Sequence, residues 1–555
     1  MTKPRTRGWF TFGPAGSPKR SSAGRLRLAK VAGIVLVFCA AVIASPAQVF
    51  NTLVNFNGTD GSSPEYGSLI QGADGNFYGT TSSGGTSTNC SKGCGTVFQI
   101  TPGGTLTTLY SFAGSPDGAT PYAGLIQANG NFYGTTYAGG AANANCTNGC
   151  GTVYEISPSG GTWTESVLYN FCQQPNCQDG IGPTAGLVQG SDGNLCGTTY
   201  AGGGGNCVSG CGTIFSITPQ GVLTILHNNF NRTQQGAQFF AGLVQGADGN
   251  FYGTTEGGGS NPNCKDGCGT VFQISPGGTF SSLYSFAGAP DGAYPYAGLI
   301  QAADGNFYGT TYYGGNSNSL CSFTCGTVYK ILPPAQPGGP WTESVLYTFC
   351  AQTNCPDGSH PYAALIQAAD GNFYGTTSSG GTDGDGAVFK VISGVSSLYV
   401  LYSFGNSDGE SPYAGVVQAT NGNFYGTTSS GGANAAGTVF GLYETNVTTW
   451  RSDNLRTGQN TNEIVLTPEN LSTNNFGQRC SVALDGQVYA QPLVLSNVTF
   501  NGTQYSSLVY VVTQMNTLYL INGTPPAAGN PCTVISSLSL NPAGQHPGGL
   551  PLLGW

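Results

Sequence analysis

The chain is 555 residues long, holds 90 glycines and is only 7% charged, with 25 acidic against 16 basic residues and a formal net charge of −9. Average globular domains are about 25% charged, so Ser, Thr, Asn and Gly must supply most of the wet surface. Nucleic acid demands clustered Lys and Arg, and so acidic a chain excludes it as a partner.

The N-terminus takes eight of the basic residues: Lys3, Arg5, Arg7, Lys19, Arg20, Arg25, Arg27 and Lys30. An uninterrupted small and apolar run of 14 residues follows at 31–44, and then Ser45-Pro46-Ala47. A basic start, a short apolar run and small residues before a cut after Ala47 predict a signal peptide over residues 1–47. The alternative is an uncleaved helix at 31–44 that holds the protein at the inner membrane, although a span usually needs about 20 apolar residues. Phe38, before Cys39, is too bulky for a lipoprotein cleavage site. Cleavage leaves 8 basic residues against 25 acidic ones, a net charge of −17. The expectation is an exported monomer, secreted, periplasmic or on the cell surface, with no stable membrane insertion after cleavage.

A lone strand is predicted at 49–56. Beyond it the phrase Asp-Gly-Asn-Phe-Tyr-Gly-Thr-Thr recurs seven times with small variations, starting at Asp74, Asn129, Asp192, Asp248, Asp304, Asp370 and Asn421. Its tyrosine position is filled by Tyr78, Tyr133, Cys196, Tyr252, Tyr308, Tyr374 and Tyr425, at intervals of 55, 63, 56, 56, 66 and 51 residues. Self-similarity at such a period marks a tandem array. One unit, 69–112, reads as four short strands at 69–71, 77–81, 96–100 and 106–112, separated by an Asp-Gly turn at 74–76, a loop at 82–95 and Pro102-Gly103-Gly104. Seven four-stranded units predict an all-β, seven-bladed β-propeller over residues 48–445. The last unit ends at its third strand, 438–443, so the lone strand at 49–56 is expected to complete it and remove two free edges.

Alternation along 77–81 places Phe77, Gly79 and Thr81 on one face and Tyr78 and Thr80 on the other. An aromatic on each face suits a blade packed between two neighbours, so the phrase reads as turn and packing chemistry; ligand stacking by these rings is the alternative. A longer period is also visible. Units two and five share Trp-Thr-Glu-Ser-Val-Leu-Tyr at 163–169 and 341–347, each followed by a Cys-x4-Cys, whereas units one and four share Leu-Tyr-Ser-Phe-Ala-Gly at 109–114 and 283–288. Duplication of a three-blade block accounts for both.

Five cysteine pairs are Cys-x3-Cys: Cys90/Cys94, Cys146/Cys150, Cys207/Cys211, Cys264/Cys268 and Cys321/Cys325. Two more are Cys-x4-Cys: Cys172/Cys177 and Cys350/Cys355. In an exported protein these read as separate disulfide clips within loops. Closing so few residues contributes only about 2 kcal/mol each, which pins loops rather than the fold. The competing reading is zinc, with two thiolates per loop as half a site, but the pairs fall in separate loops. Cys196, Cys480 and Cys532 have no assigned partners.

The Asp-Gly positions form two sets, the phrase aspartates and Asp60, Asp117, Asp179, Asp291, Asp357 and Asp408. Asp-Gly suits tight turns by itself; calcium at some of them is the alternative, although no run converges six to eight oxygens. No cofactor is therefore expected. Nucleophile elbow, His-Glu-x-x-His and phosphate loop are all missing from the sequence. Glu165 and Glu343 could pair as glycosidase carboxylates, but they are copies of one strand residue and read as surface positions.

The phrase, the Gly-Gly loop, the Gly-Thr-Val-Phe strand and the Leu-Tyr-Ser-Phe strand resemble the Gloeo/Verruco (GloVer) tandem repeat family over residues 50–443. The resemblance implies an exported bacterial protein with no established activity. Residues 446–555 differ in kind. Thr449-Trp450-Arg451, Asp453-Asn454 and 485–492 resemble the opening of propellers related to pyrroloquinoline-quinone enzymes, for one blade's length. The functional expectation is an exported, non-enzymatic propeller that binds a protein or glycan or serves as a surface scaffold; the alternative is a fragment of a quinoprotein-like or lyase-like enzyme. Any ligand is expected at loops where the units differ.

Overall fold

The computed structural model describes residues 48–444, apart from 229, 316–323, 335, 337 and 395, and the backbone of four strands beyond residue 492. Residues 1–47 and the segment 445–492 lie outside the described residues, and with them the expected signal peptide and the likeness at 449–454 and 485–492. The C-terminal strands Leu493–Phe500, Thr503–Val512, Thr517–Asn522 and Val534–Ser539 form an antiparallel sheet in sequential order.

Seven four-stranded antiparallel sheets form the propeller. Blade 1 contains Ile70–Gln71, Phe77–Thr81, Thr96–Ile100 and Leu106–Ser111. Its inner strand is cut to two residues because Asp74-Gly75 turns the chain at once, with Gly75 at φ +81°, a conformation open mainly to glycine. The inner strands of blades 2 to 7 start at Ile126, Val188, Val244, Ile300, Ile366 and Val417. Blade 7 takes its outer strand from the N-terminus: Gln48–Asn55 pairs antiparallel with Thr438–Glu444, Val54 opposite Val439. The lone strand thus closes the ring as its sequence predicts.

The ring is held by a repeated contact between the phrase's tyrosine and the phenylalanine of the next blade. Tyr78 lies 4.1 Å from Phe132, Tyr252 4.1 Å from Phe307, Tyr308 4.2 Å from Phe373, Tyr374 4.3 Å from Phe424, and Tyr425 closes on Phe77 at 4.2 Å between ring centroids. Blade 3 substitutes Leu195 and Cys196, which pack in the same interfaces without rings. Each such ring pair adds about 0.5–1.5 kcal/mol beyond its buried area. A second ring runs along the turns, where a turn N–H donates to the next blade's Gln side chain. Ala73 N donates to Gln127 Oε1 at 3.1 Å, and Thr420 N to Gln71 Oε1 at 2.9 Å across the closure.

The phrase aspartates are tied up internally. Asp74 accepts from the Tyr78 hydroxyl at 2.8 Å, Asn76 Nδ2 at 2.7 Å and Gln99 Nε2 at 3.2 Å. Asp248 repeats this with Tyr252, Asn250 and Gln273. Asp304 and Asp370 meet Lys330 at 3.1 Å and Lys390 at 2.7 Å. Asp192 keeps its asparagine, Asn194, at 2.7 Å. In blade 2, where Asn129 replaces the aspartate, the carboxylate comes from the facing strand: Glu155 Oε1 accepts from Asn131 Nδ2 at 2.6 Å and Tyr133 at 2.9 Å.

Candidate functional site

Successive blades present the segment between the previous blade's outer strand and their own inner strand to the propeller axis. The sequence is Pro121-Tyr122-Ala123-Gly124-Leu125 in blade 2 and Pro295-Tyr296-Ala297-Gly298-Leu299 in blade 5. The phrase positions it. The first threonine of its Thr-Thr donates to the alanine carbonyl of the next blade's segment: Thr80 Oγ1 to Ala123 O at 2.8 Å, Thr135 to Ala185 at 2.9 Å, Thr310 to Ala363 at 3.0 Å and Thr376 to Ala414 at 2.9 Å. The segment's glycine allows blades to approach at the axis, since a Cβ on Gly242 or Gly298 would stand 3.2 Å from the carbonyl of Gly186 or Gly242.

The aromatic residue of six segments, replaced by Thr184 in blade 3, therefore points to one mouth of the axis. Tyr66, Phe240 and Tyr362, from blades 1, 4 and 6, meet there: Tyr66 stacks on Tyr362 with centroids 4.8 Å apart and lies 5.3 Å from Phe240, which lies 5.5 Å from Tyr362. Tyr296 stacks on Tyr362 at 4.7 Å, and Tyr122 and Tyr413 pack against Tyr66 at 5.4 and 5.6 Å. Contacts between non-adjacent blades are possible only at the axis, so these rings form a floor across it, half-buried. The floor borders a cavity of about 210 Å³, lined also by Ser68, Thr184 and the segment glycines. Tyr66 reaches so far because blade 1 has one residue more than the others between Pro64 and Leu69. The matching bond from blade 7 is consequently absent, leaving Thr427 Oγ1 buried without a partner.

Around this floor runs a second ring with constant backbone and changing side chains. The residues before the proline position are Ser63, Thr120, Gly182, Gln238, Tyr294, His360 and Ser411, all at φ between +53° and +65°. Non-glycine residues rarely occupy that region, and six of the seven do so here. Each donates its N–H to the preceding blade's cysteine loop or its equivalent, as Thr120 does to Cys94 O at 2.8 Å and His360 to Cys325 O at 2.8 Å, and accepts from the residue after the phrase, as Thr120 O does from Tyr137 N at 3.0 Å. The loop clips thus brace the frame of this mouth. The residues after the phrase are Ser82, Tyr137, Tyr200, Glu256, Tyr312, Ser378 and Ser429, so the rim is bulky over blades 2–5 and low over blades 6, 7 and 1.

The polar groups of the mouth are oriented. Gln238 Nε2 donates to the Tyr200 hydroxyl at 2.8 Å, and the Tyr296 hydroxyl donates to Glu256 Oε1 at 3.1 Å. Burial raises the pKa of Glu65 and Glu256 above the ordinary carboxylate value, against the pull of Ser82 and Lys92 on the first and of Tyr296 and Arg232 on the second. Burial and Tyr313 push Tyr312 up to about 12, and burial lowers the pKa of His360. The phenols remain donors and the imidazole is neutral near pH 7.

The residues singled out in the sequence fall elsewhere. The phrase aspartates sit at the opposite end of the inner hairpins. Asp117 accepts from Tyr110 at 3.1 Å and from the N–H of Ala113 at 2.7 Å, and the buried Asp179 accepts from Tyr169 at 2.7 Å. Disulfides join Cys90–Cys94, Cys146–Cys150, Cys172–Cys177, Cys207–Cys211, Cys264–Cys268 and Cys350–Cys355. Cys321, the expected partner of Cys325, lies outside the described residues, as do Cys480 and Cys532. Cys196 is a buried free thiol whose pKa burial pushes up to about 11. Two expectations change. Glu165 and Glu343 are not surface groups: each buries its Oε1 between blades, without a partner. The cysteine clips of blade 2 are not separate: Sγ of Cys146, Cys150 and Cys172 lie within 4.8 Å of one another. The axial segment itself was missed, although Pro-Tyr-Ala-Gly recurs at 121–124, 295–298 and 412–415, with variants in the other blades.

The family model of the Gloeobacter/Verrucomicrobia repeat matches residues 41–263, 205–340 and 319–480. Among solved structures, the periplasmic gluconolactonase of Pseudomonas aeruginosa is 13% identical, with 69% of this chain and 95% of that one covered, at a TM-score of 0.37. The gluconolactonase XC5397 of Xanthomonas campestris is 11% identical, with 71% and 89% covered, at a TM-score of 0.35. No curated protein matches the chain.

Proposed function

This chain belongs to the Gloeobacter/Verrucomicrobia repeat family, whose matches span all seven blades, and we propose that it is an exported, non-enzymatic binding propeller that seats a neutral glycan on the axial aromatic floor. The observation that carries the reading is a shared backbone frame at the axial mouth whose side chains differ from blade to blade around an aromatic floor. Sugar rings offer a face of C–H groups to an aromatic surface and hydroxyls to donors at its edge; Tyr, with an apolar body and a polar tip, serves both. Predominantly apolar linings with a few placed polar groups are what ligand sites share. The disulfides of the described residues suit an oxidising compartment, and among those residues no helix is long and apolar enough to cross a membrane.

The test is a glycan array probed with the full chain and with Tyr296→Ala. Binding by the first that is lost in the second supports the reading, and a flat array favours a scaffold. A lyase-like activity on the bound glycan is the second reading, favoured by the burial-raised pKa of Glu65 and Glu256 at the floor's edge. Release of shortened, unsaturated products from an array-positive glycan would show it.

A further inference from the structure

The sulfurs of blade 2 do not line the axial floor, although the Cys150 carbonyl holds Gly182 of its rim at 2.8 Å. Cys146 and Cys150 belong to the loop before the third strand, and Cys172 and Cys177 follow the fourth strand, Thr162–Asn170. In blades 1 and 4 the chain at the corresponding place is Ala113-Gly114 and Ala287-Gly288, and a Cβ on either glycine would stand 3.4–3.7 Å from the loop's sulfurs. Blade 2 puts a second cysteine pair beside that position. Cys150, Cys172 and Cys177 are buried and Cys146 is half-buried. Cys325, Cys350 and Cys355 in blade 5 repeat the arrangement, again with sulfurs within 4.8 Å of one another.

We propose that the blade 2 cluster is a redox-gated site for a thiophilic divalent cation of the zinc class. Oxidised, it is two disulfides. Each disulfide takes two electrons and two protons from a dithiol, which leaves as its cyclic disulfide. The four thiols then release four protons as one cation binds, giving a tetrathiolate site of net charge −2. Tetrahedral Zn–S bonds of about 2.3 Å set sulfurs about 3.8 Å apart, within the 4.8 Å spread of Cys146, Cys150 and Cys172, and Cys177, bonded to Cys172, supplies the fourth thiolate after a side-chain rotation. Asn145 Nδ2 donates to Cys172 Sγ at 3.4 Å and Cys177 Sγ at 3.3 Å, the kind of outer-shell N–H that steadies metal-bound thiolates. The two loops are separated in sequence but fixed by the same blade, so the sulfurs converge without refolding. Reduction of the blade 2 cluster removes two short clips worth about 2 kcal/mol each, and the site requires the propeller to stay folded without them.

The test measures zinc bound per chain after reduction, desalting and titration, with the unreduced chain as control. Cys172→Ser/Cys177→Ser is expected to lose one equivalent of tight zinc, whereas Cys90→Ser/Cys94→Ser loses none. Cobalt in place of zinc is expected to show sulfur charge-transfer and tetrahedral bands that the blade 2 variant loses in part. Equal zinc content in the two variants overturns the proposal, and so does octahedral cobalt without thiolate bands. Thermal melts of each reduced variant separate loss of the site from loss of the fold.

Discussion

Tyr66 and Tyr362 stack across the propeller axis, centroids 4.8 Å apart and planes 26° from parallel. They come from blades 1 and 6, and Tyr66 also touches rings from blades 2, 4 and 7. The extra residue in blade 1 makes this reach possible. Tyr66→Ala is expected to lower glycan affinity about tenfold, the effect of one lost stacking contact near 1.4 kcal/mol. Tyr66 packs against four rings, so the melting temperature should also fall by several degrees while the chain stays folded at the assay temperature. Calorimetric titration and a circular-dichroism melt on one sample check both halves.

The N-terminal strand closes blade 7 and leads into Phe56, fully buried against Phe98 of blade 1. Deleting residues 48–57 bares the edge of Thr438–Glu444 and opens that core. The deletion is expected to destabilise the whole ring, and Phe56→Ala alone to cost about 3–5 kcal/mol. Unchanged denaturant midpoints would refute the closure.

Stability should fall as pH rises from about 4.5 to about 8. Burial, and then the charge of Asp117 or Asp291, raise Glu165 and Glu343 to about 8 from 4.5. The folded state keeps a proton that the unfolded chain gives up in this window, so the stabilisation is complete below 4.5 and lost as pH climbs through 8. The groups facing Glu165 are Tyr110, Asp117 and Tyr154, the last with an unpartnered buried hydroxyl. Glu165→Gln/Glu343→Gln keeps the shape without the proton. Melting temperatures at pH 5 and 8.5 should differ less in that variant than in the wild type.

Blade 2 moves its carboxylate from the turn to the facing strand, Asn129 with Glu155. Glu155→Gln leaves Tyr133 and Asn131 without a charged acceptor and should cost about 1.5–3 kcal/mol. Adding Asn129→Asp restores the arrangement of Asp74 with Gln99 and should recover most of the loss. A double-mutant cycle by urea unfolding measures the coupling, and additive losses would contradict it.

Strand positions, blade count and ring closure were legible because period-two alternation and Asp-Gly turns act within a few residues. Val49 to Phe56 stood out as a strand without a unit, which located the closure. The axial site was not legible for a different reason. Pro121 carries only a local turn signal, and nothing local says that Tyr66, Phe240 and Tyr362 meet; only the circular arrangement of blades does. The same holds for Cys150 and Cys172, which share a cluster from two loops. Glu165 read as surface because it and Glu343 are copies of one strand residue, whereas the interface that buries its Oε1 comes from blade 1.

The central claim is that the axial floor is the binding surface. Its most direct measurement is the dissociation constant of an array-positive oligosaccharide for the full chain, for Tyr362→Ala and for Tyr399→Ala, an exposed ring on the outer strand of blade 6. Binding should weaken at least about tenfold in Tyr362→Ala and stay unchanged in Tyr399→Ala. Equal affinity in all three, with the fold intact, would contradict the account.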